Sequence, residues 1–130
     1  MKLDGFGLFV KDMEKMVHFY REVLHFDIIW ESSQNNVYLV KDGVLFLMYG
    51  RVDFEKMTRQ NYLYSQGYNG TFEIALSVAN YEEVDKEFTR IIAMGGKAVL
   101  NPETEPWGQR TCYVADPEGN LIEIGSFNKN

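Results

Sequence analysis

The sequence predicts an α+β fold made from two copies of one β-α-β-β-β unit, and three observations predict it. Apolar residues alternate with period two, then recur at helical spacing, and this order appears twice along the chain. Phe6-Gly7-Leu8-Phe9-Val10-Lys11-Asp12 aligns with Ile74-Ala75-Leu76-Ser77-Val78-Ala79-Asn80, a self-similarity at a period of about 70 residues. A polar, mixed stretch from 50 to 70 separates the copies. Each copy alone is a short sheet with one helix, which is marginal in isolation.

Leu3 to Val10 reads as a strand, with Phe6, Leu8 and Val10 on one face. Asp12 is a good N-cap, and Met13, Met16, Val17, Tyr20, Val23 and Leu24 follow at helical spacing. Phe26 to Glu31 is expected as a strand. Gln34-Asn35-Asn36 marks a turn, and Val37 to Lys41 and Val44 to Tyr49 form a hairpin about Asp42-Gly43. The connector carries only a short helical hint at Phe54 to Gln60. In the second copy, Thr71 to Val78 is a strand and Asn80 caps a helix. Glu82 and Glu83 suit the positive end of that helix, and Val84, Phe88, Ile91 and Ile92 form its buried stripe. Gly95-Gly96 ends it. Lys97 to Asn101 is a strand and Pro102 to Gly108 a loop. Gln109 to Ala115 and Asn120 to Phe127 pair about the tight turn Asp116-Pro117-Glu118-Gly119. The 130 residues form one domain, with module one at about 1–50, the connector at about 51–69 and module two at about 70–130.

Composition excludes several function classes. Apolar residues are 45% and aromatics 15%, as in a globular chain. A net charge of −6 with no basic run argues against nucleic acid and anionic membranes, because phosphate contacts need clustered Lys and Arg. No apolar run approaches the roughly 20 residues that cross a bilayer. Met1-Lys2-Leu3-Asp4-Gly5 has no apolar signal region, so a cytoplasmic location is the expectation. The single cysteine, Cys112, lies in an apolar strand pattern and reads as a small buried hydrophobe rather than a nucleophile. With His18 and His25 as the only histidines, no Ser-His-Asp triad can be drawn.

Two stretches carry a resemblance. Leu8-Phe9-Val10-Lys11-Asp12-Met13-Glu14-Lys15, running on to Phe19-Tyr20 and Leu24-His25-Phe26, resembles the opening module of the vicinal-oxygen-chelate superfamily of glyoxalases, bleomycin-resistance proteins and extradiol dioxygenases. Pro106-Trp107-Gly108-Gln109-Arg110 and Asp116-Pro117-Glu118-Gly119-Asn120-Leu121-Ile122-Glu123-Ile124 resemble its closing signature. The resemblance implies two βαβββ modules whose mixed sheets curl into a cup with the helices outside. It also implies a homodimer, often with each cup built from one module of each chain. Activity does not follow, since the superfamily holds metal-dependent lyases, isomerases and dioxygenases beside antibiotic binders that use no metal.

Strand parity then says what lines the cup. If Ile74, Leu76 and Val78 face the helix, Glu73, Ala75 and Ser77 face away. Likewise Leu121, Glu123 and Gly125 oppose Ile122 and Ile124, and Gln109, Thr111 and Tyr113 oppose Cys112 and Val114. In the first module Gly5, Gly7 and Phe9 share a face, as do Val44, Phe46 and Met48. The expected ligand-binding residues are Phe9, Phe46, Met48, Glu73, Trp107, Tyr113 and Glu123, with Tyr38 a further aromatic. Such a mostly apolar concavity with a few polar groups suits a small molecule. The same aromatics would equally close the cup by packing, or form a dimer seam. Tyr62, Tyr64 and Tyr68 in the connector read as a lid or part of that seam.

In the family, the metal is held by cup-facing positions on the first and last strands of each module, as His (or Gln) and Glu. Aligning Leu45-Phe46-Leu47 with Ile122-Glu123-Ile124 puts those positions at Gly5, Phe46, Glu73 and Glu123. Gly and Phe cannot ligate, Glu73 replaces a histidine, and only Glu123 matches. Two carboxylates and water can hold a hard cation, but zinc, nickel and iron favour imidazole as well. No tightly bound metal or other cofactor is therefore expected, with Glu73 and Glu123 as the weak metal candidates. The pair has two functional readings, an acid/base centred on Glu123 or a site for an amine or guanidinium. Its structural reading is pairing with a nearby Arg or Lys such as Arg110, or with a backbone donor.

Overall fold

The computed structural model describes residues 1–130, which divide into two compact units, Met1–Tyr64 and Ser65–Asn130. The fold is α+β with two mixed sheets. No helix is long and apolar enough to cross a membrane.

In the first unit, β1 (Gly5–Val10) leads to α1 (Met13–His18), whose N-cap Asp12 accepts the Lys15 N–H at 3.1 Å. Phe19–Val23 continues the helix as a π-helical turn that buries Phe19, Tyr20 and Val23. The next strands are β2 (Asn36–Lys41) and β3 (Val44–Gly50), and the sheet order is β1-β3-β2, with β1 parallel to β3. The strand expected at Phe26 to Glu31 does not form. Phe26 and Ile28 are buried and Asp27 and Ile29 exposed, so the alternation is real. The segment instead spends its hydrogen bonds locally: the Ile28 N–H on Phe26, the Trp30 indole on the Gln34 carbonyl, and the Glu31 N–H on the Gln34 side chain. Alternation reports burial of one face and does not by itself provide a ladder partner.

Phe46 is 2% exposed and Met48 fully buried, packed on the helix side of the sheet. Phe46 meets Tyr20 at 5.0 Å, Phe26 at 5.4 Å and Phe6 at 5.5 Å between ring centroids. This corrects their expected place in the cup. Phe6 pairs with Phe46 and Ile74 with Ile122 in the two ladders, so Phe46-Leu47-Met48, not Leu45-Phe46-Leu47, corresponds to Ile122-Glu123-Ile124. A one-residue slip moves every side chain to the other face. Leu45, Leu47 and Tyr49 are the β3 residues on the face away from α1, beside Gly5, Gly7 and Phe9.

The connector is more ordered than its polarity suggests. It forms α2 (Arg51–Thr58), whose Phe54 stacks between Phe9 at 3.9 Å and Tyr62 at 5.0 Å. Arg51 donates to the Phe9 carbonyl at 3.0 Å and lies 4.2 Å over the Tyr64 ring, while the Tyr64 hydroxyl donates to Glu55 at 2.9 Å. Tyr62 and Tyr64 thus belong to the first unit and Tyr68 to the second.

The second unit completes the β-α-β-β-β pattern: β4 (Asn69–Ser77), α3 (Tyr81–Ala93), β5 (Lys97–Thr104), β6 (Arg110–Ala115) and β7 (Asn120–Ser126), in the order β4-β7-β6-β5. The Asn80 side chain accepts the Glu83 N–H at 3.0 Å and caps α3. Val84 and Ile91 pack toward Cys112, Val114, Ile122 and Ile124, all buried. β5 runs on through residues 102–104, the start of the segment expected as a loop, and the turn follows at Glu105 to Gln109. β5 tolerates Pro102 because it is an edge strand whose register breaks between Leu100 and Glu103. The β6–β7 turn hangs on fully buried Asp116. Its carboxylate accepts the N–H of Glu118 at 2.9 Å, the N–H of Asn120 at 3.0 Å and the Asn120 amide at 2.8 Å. Gly119 closes that turn at φ 89°, where a β-carbon would collide with the Gly67 carbonyl.

Candidate functional site

The face of the second sheet turned away from α3 carries the polar groups. Because β6 and β7 are antiparallel and in register, Thr111 lies opposite Gly125 and Tyr113 opposite Glu123. On the far side of β7, the parallel ladder puts Ala75 beside Glu123 and Glu73 beside Leu121. Glu123 is half-buried, and its Oε1 accepts the Thr111 hydroxyl at 2.9 Å and the Gln109 amide at 3.1 Å. Gln109 in turn accepts the Trp107 indole N–H at 3.0 Å. Tyr113 reaches diagonally across β7 and donates its hydroxyl to Glu73 Oε2 at 2.7 Å.

Only neutral donors hold these two carboxylates, and neither forms an ion pair. The cation considered for them, Arg110, is on the opposite face. Its guanidinium binds Asp85 of α3 at 2.7 and 2.8 Å and donates to Thr104 at 3.1 Å. One oxygen of each carboxylate, Glu123 Oε2 and Glu73 Oε1, takes no hydrogen bond within the unit. Burial first, then the bond to Glu73, pushes the Tyr113 phenol well above its ordinary range, and the charges of Glu123, Glu73 and Glu105 add to the effect. Tyr113 is therefore a neutral hydrogen-bond donor. Burial also pushes the Cys112 thiol up to about 12, reinforced by Asp85 and opposed by Arg110, so it is no nucleophile.

Of the sequence-predicted residues, Glu73, Tyr113, Glu123 and Trp107 share this network or its edge. Trp107 is 65% exposed, so its indole is open to a ligand. Phe9 lies in the first unit, on the face away from α1, and is 44% exposed beneath Phe54. Phe46 and Met48 are core. Gln109 and Thr111 were legible as members of the face by parity, but nothing in the sequence said that both would converge on Glu123. That follows from Gly125. A β-carbon there would stand 2.6 Å from Gln109 Nε2, so glycine leaves the space through which Gln109 reaches Glu123.

The Glyoxalase/Bleomycin resistance protein/Dioxygenase superfamily profile matches residues 2–124. This chain belongs to that superfamily. Among its relatives is the uncharacterized protein YraH of Bacillus subtilis, 28% identical over 95% of this chain and 97% of that one. A glyoxalase/bleomycin resistance protein/dioxygenase family enzyme from Burkholderia phytofirmans superposes with a TM-score of 0.81, at 24% identity over 96% of this chain and 98% of its own. A glyoxalase-related enzyme from Fulvimarina pelagi superposes with a TM-score of 0.80, at 21% identity over 95% of this chain and 86% of its own.

The superfamily's metal does not fit these residues. With the ladder register corrected, the four ligand positions are Gly5, Leu47, Glu73 and Glu123. Glycine and leucine offer no donor, and a side chain at Gly5 would run into the Leu45 carbonyl. The two carboxylates that remain each have one oxygen held by neutral donors, and no imidazole is among the four positions, so the donor set is short of what zinc, nickel or iron favours.

Proposed function

We propose that this chain is a small-molecule-binding member of the superfamily that works without a tightly bound metal and takes a ligand with a cationic group. The carrying observation is that Glu73 and Glu123 sit on one sheet face, held by neutral donors, each with an oxygen left for a ligand. Glu123, uncompensated and half-buried, is a strong acceptor for an amine or guanidinium, and the exposed Glu73 adds negative charge on the same face. Tyr113 adds an aromatic surface. The test is calorimetric titration with matched amphipathic cations and anions. Cations should bind and anions should not, and Glu123→Gln should weaken cation binding by about tenfold, the loss of roughly one charge-assisted hydrogen bond. Equal binding of the anions would overturn the reading.

A metal-free enzyme is the second reading, supported by the unengaged Glu123 Oε2, which is placed to take or give a proton. Turnover that survives chelator and vanishes in Glu123→Gln would favour it. Chelator-sensitive turnover would restore a metal role for Glu123.

A further inference from the structure

We infer that Gln109 ties Trp107 to Glu123 as one recognition element, and that this element selects a ligand combining a flat ring with a positive charge. The inference rests on the reading of Glu123 as a cation site and adds the part of the ligand that Trp107 reads.

The orientation of the Gln109 amide follows from chemistry. An indole N–H only donates, so the Gln109 atom 3.0 Å from Trp107 Nε1 is the carbonyl oxygen. The amide NH2 then points to Glu123 Oε1 at 3.1 Å, where an ionised carboxylate only accepts. Donor and acceptor match at both ends, and reversing the amide would break both contacts. Trp107 sits in the turn between β5 and β6. That turn is closed by the Gly108 N–H on the Glu105 carbonyl at 2.9 Å and by the Glu105 N–H on Gln109 at 2.7 Å. The Tyr81 hydroxyl, donating to the Gly108 carbonyl at 2.6 Å, ties the turn to the start of α3. With its sole polar atom already satisfied, the exposed indole presents its π face, which suits a planar or cationic group. Glu123 keeps Oε2 for charge. One amide side chain separates these surfaces, so a compact aromatic cation can engage both. Gly125 makes the arrangement possible, since a β-carbon there would displace Gln109 Nε2.

The coupling can be read without ligand. In 15N-labelled protein, the Trp107 indole N–H resonance, assigned by its loss in Trp107→Phe, should shift when Glu123→Ala is introduced. The same substitution should leave it unmoved in a Gln109→Leu background. Equal shifts in both backgrounds would overturn the coupling. Selection is then tested with benzamidinium against methylguanidinium, a cation without a ring. The native protein should prefer benzamidinium about tenfold. Gln109→Leu and, independently, Gly125→Ala should lower benzamidinium affinity about tenfold further than methylguanidinium affinity, so that the preference is lost. A preference that survives both variants would defeat this inference and leave the cation site standing. If neither cation binds the native protein, the cation site itself fails and the ligand class falls with it.

Discussion

At the scale of single residues, the chemistry is set by what each polar group was able to find as a partner. Glu123 has a hydroxyl and an amide where a histidine-lined metal site would have a cation, and Thr111 is buried to supply that hydroxyl. Thr111→Val should cost about 1 kcal/mol in chemical denaturation, the usual worth of one such hydrogen bond, and should weaken cation binding by loosening Glu123. Cys112 is held protonated up to about 12 and Tyr113 above its ordinary 10.0. Both raised values favour the protonated native state. Their stabilising effect is complete below the unfolded values near 9.0 and 10.0 and is lost as pH rises past them, when the unfolded chain releases protons that the native chain keeps. Stability should therefore fall from about pH 9 upward, and less steeply in Tyr113→Phe, as measured by denaturation across pH. Native Cys112 should react with a thiol reagent at pH 8 only as fast as the protein opens, and promptly in denaturant. The sequence made Glu73 and Glu123 conspicuous as the only carboxylates on their face. It held no sign that Tyr113 would span two strands to Glu73, because a diagonal contact depends on the stagger of three strands.

At the scale of elements, parity was readable and register was not. Alternation placed Phe9 correctly opposite Leu8 and Val10, and it placed Glu123 opposite Ile122 and Ile124. For β3 the fully apolar run Val44-Leu45-Phe46-Leu47-Met48 has no polar residue to mark a face. Either set of side chains could have been the buried one, and only the ladder with β1 settles it. The consequence is measurable. Phe46→Ala should destabilise the protein by about 3–5 kcal/mol, as a large core truncation does, whereas Leu47→Ala on the other face should cost far less. Urea midpoints of the two variants decide the point, and a mild Phe46→Ala would mean that the face assignment is wrong. Helix signals fared better because they are local. Asp12 and Asn80 both cap as their positions predict, and Asn80→Ala should lose about 1 kcal/mol. The missing strand at Phe26 to Glu31 and the extension of β5 through Pro102 have a common cause. Whether an extended segment becomes a strand depends on a neighbour's free edge, which is not a property of the segment.

At the scale of the whole molecule, the repeat is the organising fact. It makes the two units comparable position by position and shows that they have diverged in chemistry. Gly5 and Leu47 stand where the second unit has Glu73 and Glu123, so one face is apolar and the other acidic. Protein purified without chelator or affinity tag should contain no stoichiometric nickel, zinc, iron or manganese by elemental analysis. Native mass spectrometry of the same sample should give a dimer, in keeping with the exposed Tyr38 and Val40 on the first sheet. Near-stoichiometric metal would overturn the metal-free reading, and a monomer would remove the dimer. The sequence by itself determined the α+β class, the repeated order of strand, helix and hairpin, the helix caps and the scarcity of imidazole, because each is written in local pattern or residue type. Only the tertiary structure decided the register of β3, the aromatic stack of Phe9, Phe54 and Tyr62, and the convergence of Thr111 and Gln109 on Glu123. Those depend on which strand edges meet and how much space one glycine leaves, and these are properties of pairs of segments distant in sequence.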